Sequence, residues 1–67
     1  MTITVNGQLH SWAEQSLSVR EILDRLSFSF PLIVVRIDGQ LVSKADYDSA
    51  RVPDGAVLEA IHLISGG

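Results

Sequence analysis

The sequence predicts an α+β fold in which one mixed sheet packs on one main helix. Three features lead there: β-branched segments of strand period near both ends of the chain, two Asx-Gly turn signals, and one capped amphipathic helix between them. Thr2-Ile3-Thr4-Val5 alternates polar and apolar residues, as a half-buried strand does. Asn6-Gly7 is a strong hairpin signal because both residue types tolerate positive φ. A second strand, Leu9 to Trp12, then returns antiparallel. A two-residue loop sets Val5 opposite Gln8 and turns Leu9 to the face of Thr4. A three-residue loop ending at Gln8 keeps Ile3, Val5 and Leu9 together, and the apolar count favours it.

Ser18-Val19-Arg20-Glu21 has the spacing of a capping box. Val19, Ile22, Leu23 and Leu26 follow at helical period, with Arg20, Glu21, Asp24 and Arg25 opposite. The helix is expected to end near Ser27, with Phe28 and Phe30 flanking its exit and Pro31 preventing its resumption. Leu32 to Ile37 is aliphatic enough for a strand buried on both faces or nearly so. Asp38-Gly39 then turns the chain into a short strand at Gln40-Leu41-Val42. Ser43 is placed to cap a single turn through Lys44-Ala45-Asp46-Tyr47, and Pro53-Asp54-Gly55 forms another turn. Ala56 to Ile64 is the last and longest strand.

The expected order is strand, strand, helix, strand, strand, strand, without repeats or linkers. A four- to five-stranded sheet satisfies it when the helix crosses one face and the last strand lies beside the first. That is a β-grasp, ubiquitin-like arrangement. Residues 1–64 make one domain and 65–67 a flexible diglycine tail.

Composition narrows the function classes. A chain of 67 residues has no room for a second domain, and hardly for a deep, lidded pocket of its own, which argues against a self-contained enzyme. Its net charge of −3, from eight acidic and five basic residues, does not suit nucleic-acid phosphates and is more compatible with a partner presenting a basic or apolar surface. The absence of cysteine excludes disulfides, thiolate metal sites and thiol nucleophiles. The longest aliphatic run, Leu32-Ile33-Val34-Val35, is far short of the about 18 residues of a spanning helix. Nothing at the start resembles a signal region, so the cytoplasm is the expected compartment.

The C-terminus carries the chemistry. Adjacent glycines arise by chance in about 0.5% of residue pairs, and here they follow a strand, where they add nothing to a core. With no β-carbon at Gly66 or Gly67 and only a small side chain at Ser65, the tail suits threading through a narrow channel into another protein's active site. Gly67 ends in an α-carboxylate, a poor electrophile until an oxygen becomes part of a better leaving group. No phosphate-binding loop is present and Lys44 is the only lysine, so a separate enzyme must supply the ATP chemistry.

The strand-turn Thr2-Ile3-Thr4-Val5-Asn6-Gly7, the capped helix at Ser18-Val19-Arg20-Glu21-Ile22-Leu23, the Asp38-Gly39 turn, Val52-Pro53-Asp54-Gly55 and the Gly66-Gly67 end occur in an order that resembles the ThiS sulfur carriers of thiamine biosynthesis. The likeness spans the whole chain. It implies that an E1-like, ThiF-like adenylyltransferase uses ATP and Mg²⁺ to form an acyl adenylate on Gly67. Sulfur from a persulfide donor protein then makes a thiocarboxylate, which a ThiG-like thiazole synthase consumes. The chain itself is implied to be a carrier, not an enzyme, and to bind no cofactor. Ile64-Ser65 stands where many relatives have smaller pairs, and Ser65 remains small enough to thread. Related molybdopterin-synthase subunits share the diglycine but are usually longer. Sulfur delivery to molybdopterin, a tRNA base or a specialised metabolite, and a ubiquitin-like protein modifier, are the alternatives.

In the last strand, Leu58, Ala60, His62 and Ile64 share one face and Val57, Glu59, Ile61 and Leu63 the other. Leu58 and Ala60 are assigned to the core, Ile61 and Leu63 to a docking patch for the adenylating enzyme. His10 and His62 read as ordinary strand residues, and Asp46, Asp48 and Asp54 as turn residues without the spacing of a calcium loop. No metal site is expected. Trp12 and Tyr47 are expected to complete the small core or its rim.

Overall fold

The computed structural model describes residues 1–28 and 33–63. Among these described residues, seven strands and one α-helix are found in the order β1 (Thr2–Val5), β2 (Gln8–Ser11), β3 (Leu17–Ser18), α1 (Val19–Arg25), β4 (Ile33–Ile37), β5 (Gln40–Val42), β6 (Arg51–Val52) and β7 (Val57–His62). The main sheet has five strands ordered β2-β1-β7-β4-β5. Its central β1–β7 pair is parallel and the other three pairs are antiparallel. Packed on α1, this is the expected β-grasp arrangement, with the last strand beside the first. Ile3, Val5, Val35, Leu58 and Ala60 from the sheet meet Val19, Ile22 and Leu23 of the helix in one core.

The first hairpin corrects the expected register. Val5 pairs with Gln8 and Thr4 with Leu9, so the loop has two residues, not three. Asn6 and Gly7 both have positive φ, 51° and 84°, as a type I′ turn requires and as the twist of the flanking strands favours. The apolar count misled because it assigned Leu9 to the core. A second contact fixes the shorter loop: the Asn6 Nδ2 donates to the Ala60 carbonyl (3.0 Å) and the Ala60 N–H donates to Asn6 Oδ1 (2.8 Å). The carboxamide thus acts as one more peptide of β1 against β7. The second strand correspondingly covers Gln8–Ser11 instead of Leu9 to Trp12.

Helix α1 shows a full account of its first-turn donors. The Ser18 N–H donates to Glu21 Oε1 (2.9 Å) and the Glu21 N–H to Ser18 Oγ (3.1 Å), the capping box read from the sequence. The Val19 and Arg20 N–H groups donate to the Ala50 and Tyr47 carbonyls, at 3.0 and 2.9 Å. Four amides that a helix leaves without partners are therefore all satisfied. The helix ends at Arg25, a little before the expected Ser27. Ser27 takes φ 61°, its N–H reaches the Asp24 carbonyl, and the Phe28 N–H reaches the Leu23 carbonyl at 2.8 Å. That is a Schellman closure with serine where glycine is usual. Phe30, Pro31 and Leu32, also named in the sequence reading, lie outside the described residues, and the strand expected from Leu32 is found from Ile33.

Two short strands were not expected. Leu17-Ser18 and Arg51-Val52 pair antiparallel as β3 and β6, burying Leu17 and Val52 under the helix. Two residues cannot show a period, so sequence alternation does not reveal them. The single turn after β5 is a 3₁₀ turn at Lys44–Asp46. Ser43 precedes it, but its hydroxyl donates to the Asp46 carboxylate (3.0 Å) and makes no backbone cap. Tyr47 is buried, and its hydroxyl donates to the Ile33 carbonyl at 3.1 Å. Trp12 packs at the core's rim, stacked on His10 with centroids 5.6 Å apart and with the Arg25 guanidinium over its ring.

Arg25 also forms a bidentate pair with Glu14. Those hydrogen bonds, with a smaller contribution from the backbone of Glu14, lower the Glu14 pKa from 4.5 to about 2. A carboxyl with a depressed folded pKa contributes stability above its ordinary value and loses it as pH falls toward the folded one. Unfolding by urea is therefore expected to become easier between pH 4.5 and about 2, and Glu14→Gln to flatten that acid limb. Asn6→Ala strips the Ala60 peptide of both partners. It is expected to lower the unfolding free energy by about 1–3 kcal/mol, measured by chemical denaturation.

Candidate functional site

Strand β7 leads toward the C-terminal residues, and three side chains hold it. Asp38 Oδ1 accepts from the Val57 N–H (2.8 Å), and the Asp38 N–H donates to the Val57 carbonyl (2.8 Å). Asp54 Oδ1 accepts from the Thr2 N–H (2.7 Å), and the Thr2 carbonyl accepts from Gly55 (2.8 Å), which tethers the preceding turn to β1. Farther along, the Asn6 carboxamide grips Ala60. Beyond that point β7 is paired to β4 up to His62, opposite Ile33. The strand is thus held on both sides as far as Ala60 and by β4 alone from there to His62. Ser65, Gly66 and Gly67, the residues assigned to threading and modification, lie outside the described residues, as does Ile64.

The two faces of β7 differ as the alternation predicts. Leu58 and Ala60 are buried. Ile61 and Leu63 are 41% and 52% exposed, the condition a docking patch needs. The structure adds residues that the sequence reading did not join to them. Register places Ile61 opposite Val34, Glu59 opposite Arg36, and Leu41 opposite Arg36 on the far side. Val57 lies beside Thr4, which in turn lies opposite Leu9. The outer face of the sheet therefore presents Leu9, Val57, Ile61 and Leu41, with Leu63 just past the strand end, and all five are among the exposed large apolar residues. Leu9 and Leu41 are more than two-thirds exposed, at 71% each. In the last strand, period alone sets Val57, Ile61 and Leu63 opposite the core residues, whereas Leu9 joins them only through the observed hairpin register. Only the strand order shows that they form one surface.

One ion pair crosses this apolar face. Arg36 Nη2 lies 3.1 Å from Glu59 Oε2, with both side chains half-exposed. The Arg36 Nε–H is shielded from solvent yet makes no hydrogen bond. Arg20, Arg25 and Arg51 pair elsewhere, with Asp48, Glu14 and Glu21. The Ser18 capping contacts, reinforced by Arg51, hold the Glu21 carboxyl below its ordinary range.

His62 meets Phe28 edge-to-face at 5.7 Å, while His10 belongs to the Trp12 stack. Among the described residues no group of three or more histidine or carboxylate side chains is placed to hold a metal ion. No helix among them is long and apolar enough to cross a membrane.

The described geometry has known counterparts. The sequence profile of the ThiS family matches residues 3–67. The crystal structure of the thiamine biosynthesis protein ThiS from Geobacter metallireducens is similar with a TM-score of 0.88 and 29% identity, covering 100% of both chains. The solution structure of a thiamine biosynthesis protein from the same organism is similar with a TM-score of 0.79 and 29% identity, covering 100% of this chain and 88% of that one. No curated protein matches the chain. With the family profile matched over nearly all its length and the fold shared throughout, the chain belongs to the ThiS family.

Proposed function

We propose that this chain is a sulfur carrier in thiamine biosynthesis, acting in the cytoplasm as a substrate of other enzymes. The observation that carries the reading is the ThiS-family match over residues 3–67, supported by the 0.88 TM-score to a ThiS structure. Residues 1–64 form the folded body and 65–67 the segment that enters partner active sites.

An oxygen of the Gly67 carboxylate attacks the α-phosphorus of ATP on an E1-like adenylyltransferase, with Mg²⁺ neutralising the phosphates and pyrophosphate leaving. The product is an acyl adenylate, now electrophilic at the carbonyl carbon. A donor protein's persulfide sulfur attacks that carbon and AMP leaves, giving an acyl disulfide. Attack by a second thiol on the donor's sulfur forms a disulfide and releases the thiocarboxylate. Thiazole synthase then takes the sulfur. The lack of cysteine agrees with this scheme, since the sulfur is borne by the terminus.

Ser65 and Gly66 thread, because neither carries a bulky side chain. Ile61 and Leu63 dock the adenylyltransferase through the exposed face of β7, and the same central strand that supplies this patch continues into the reacting tail.

Incubation with the adenylyltransferase, ATP, Mg²⁺ and a persulfide donor is expected to replace one oxygen by sulfur on the C-terminal peptide, read by mass spectrometry. Deletion of Gly67 is expected to abolish that change while leaving the circular-dichroism melt in place. Conjugates joined to a target lysine in place of the thiocarboxylate would instead make the chain a protein modifier. Ile61→Asp is expected to raise the KM for adenylation about tenfold, or about 1.4 kcal/mol of binding, with an unchanged melting curve.

A further inference from the structure

Over strands β7, β4 and β5 the outer face of the sheet is apolar around one charged pair, with Val34, Ile61 and Leu41 about it, while Thr2, Thr4 and Ser11 lie on the same face at the β1–β2 end. Arg36 and Glu59 sit opposite each other on the adjacent strands β4 and β7, between Val34–Ile61 on one side and Leu41 on the other. An exposed ion pair of this kind contributes little to folding. The contact is also incomplete. Only one Arg36–Glu59 hydrogen bond is made, and the shielded Nε–H has no partner. A guanidinium has five donors in a fixed fork, and leaving them unfilled becomes costly once water is excluded.

Two kinds of occupant suit an apolar face with opposite charges at its middle. A second copy is one, because a two-fold axis would bring Arg36 of one copy to Glu59 of the other. The area speaks against it. Five strands at about 4.8 Å spacing and three to six residues at about 3.3 Å each give a footprint of roughly 250–500 Å². That is below the about 800 Å² per partner of a stable interface. Such an area suits a partner that must let go. The face is also continuous with Ile61 and Leu63, which precede the tail in the sequence.

We propose that Arg36 and Glu59 form a recognition pair for the activating enzyme, which presents a carboxylate or carbonyl acceptor to the Arg36 guanidinium and a hydrogen-bond donor to Glu59. This rests on the docking reading above and adds to it the polar code within the apolar contact. Arg36 and Glu59 act by positioning and selection; neither touches the reacting carboxylate.

A charge swap separates recognition from structure. Arg36→Glu and Glu59→Arg each place like charges opposite one another, and each is expected to lower both the melting temperature and the adenylation rate at limiting carrier. The double variant R36E/E59R restores the internal pair in reverse. Its melting temperature is expected to return to that of the unchanged protein, while its KM in pyrophosphate release with the organism's own adenylyltransferase, ATP and Mg²⁺ stays raised by about tenfold or more at unchanged kcat. Recovery of both melting temperature and KM in the double variant would overturn the inference and leave a purely structural pair. Sedimentation of the unchanged protein as a dimer at assay concentration would also overturn it, in favour of a second copy on this face. Failure of the unchanged protein to be adenylated at all would remove the carrier reading itself, a result visible before any variant is compared.

Discussion

The two-way hydrogen bond between the Asn6 carboxamide and the Ala60 peptide sets the register on which both faces of the sheet depend. A strand displaced by one residue exchanges its faces completely. For β7 that slip would bring Glu59 and Ile61 into the core and turn Leu58 and Ala60 outward. The turn residue that closes the first hairpin is thus also the clamp on the last strand. Its positive φ and its amide side chain are needed together, and aspartate or glycine supplies only part of that combination.

The helix is held by a comparable economy. Its amino end docks where β3, β6 and the 3₁₀ turn converge, so the carbonyls of Tyr47 and Ala50 complete what the capping box begins. A helix of seven residues is too short to be stable alone. Burial of Val19, Ile22 and Leu23, satisfied donors at one end and a Schellman closure at the other make it viable. Among the described residues no helix covers the sheet's other face, where Leu9, Val57, Ile61 and Leu41 are exposed.

Much of this was legible from residues alone. Ser18 and Glu21 announced the cap, Asx-Gly pairs announced two turns, and alternation in the last strand separated Leu58 and Ala60 from Ile61. What local pattern lacks is knowledge of neighbours. The hairpin register depended on Ala60, far away in sequence, so the apolar count around Leu9 pointed the wrong way. The β3–β6 ladder is too short for any period. No local pattern singled out Arg36 or Glu59 until strand order set them side by side. Composition and order of motifs carried the family resemblance, whereas the extent of the exposed apolar face required the sheet.

The parallel pairing of β1 with β7 has a temporal consequence. Asn6 and Ala60 stand 54 residues apart, yet they meet at the centre of the sheet. Such distant contacts must be bought with chain entropy before they repay it. During synthesis, Ile3 and Val5 of β1 therefore pair early with β2 on one side but wait for Val57 and Leu58 to emerge before the other side is covered. A nascent chain stalled earlier has neither a finished sheet nor the outer face that β7 completes, so the core and the exposed apolar surface arrive in the same event.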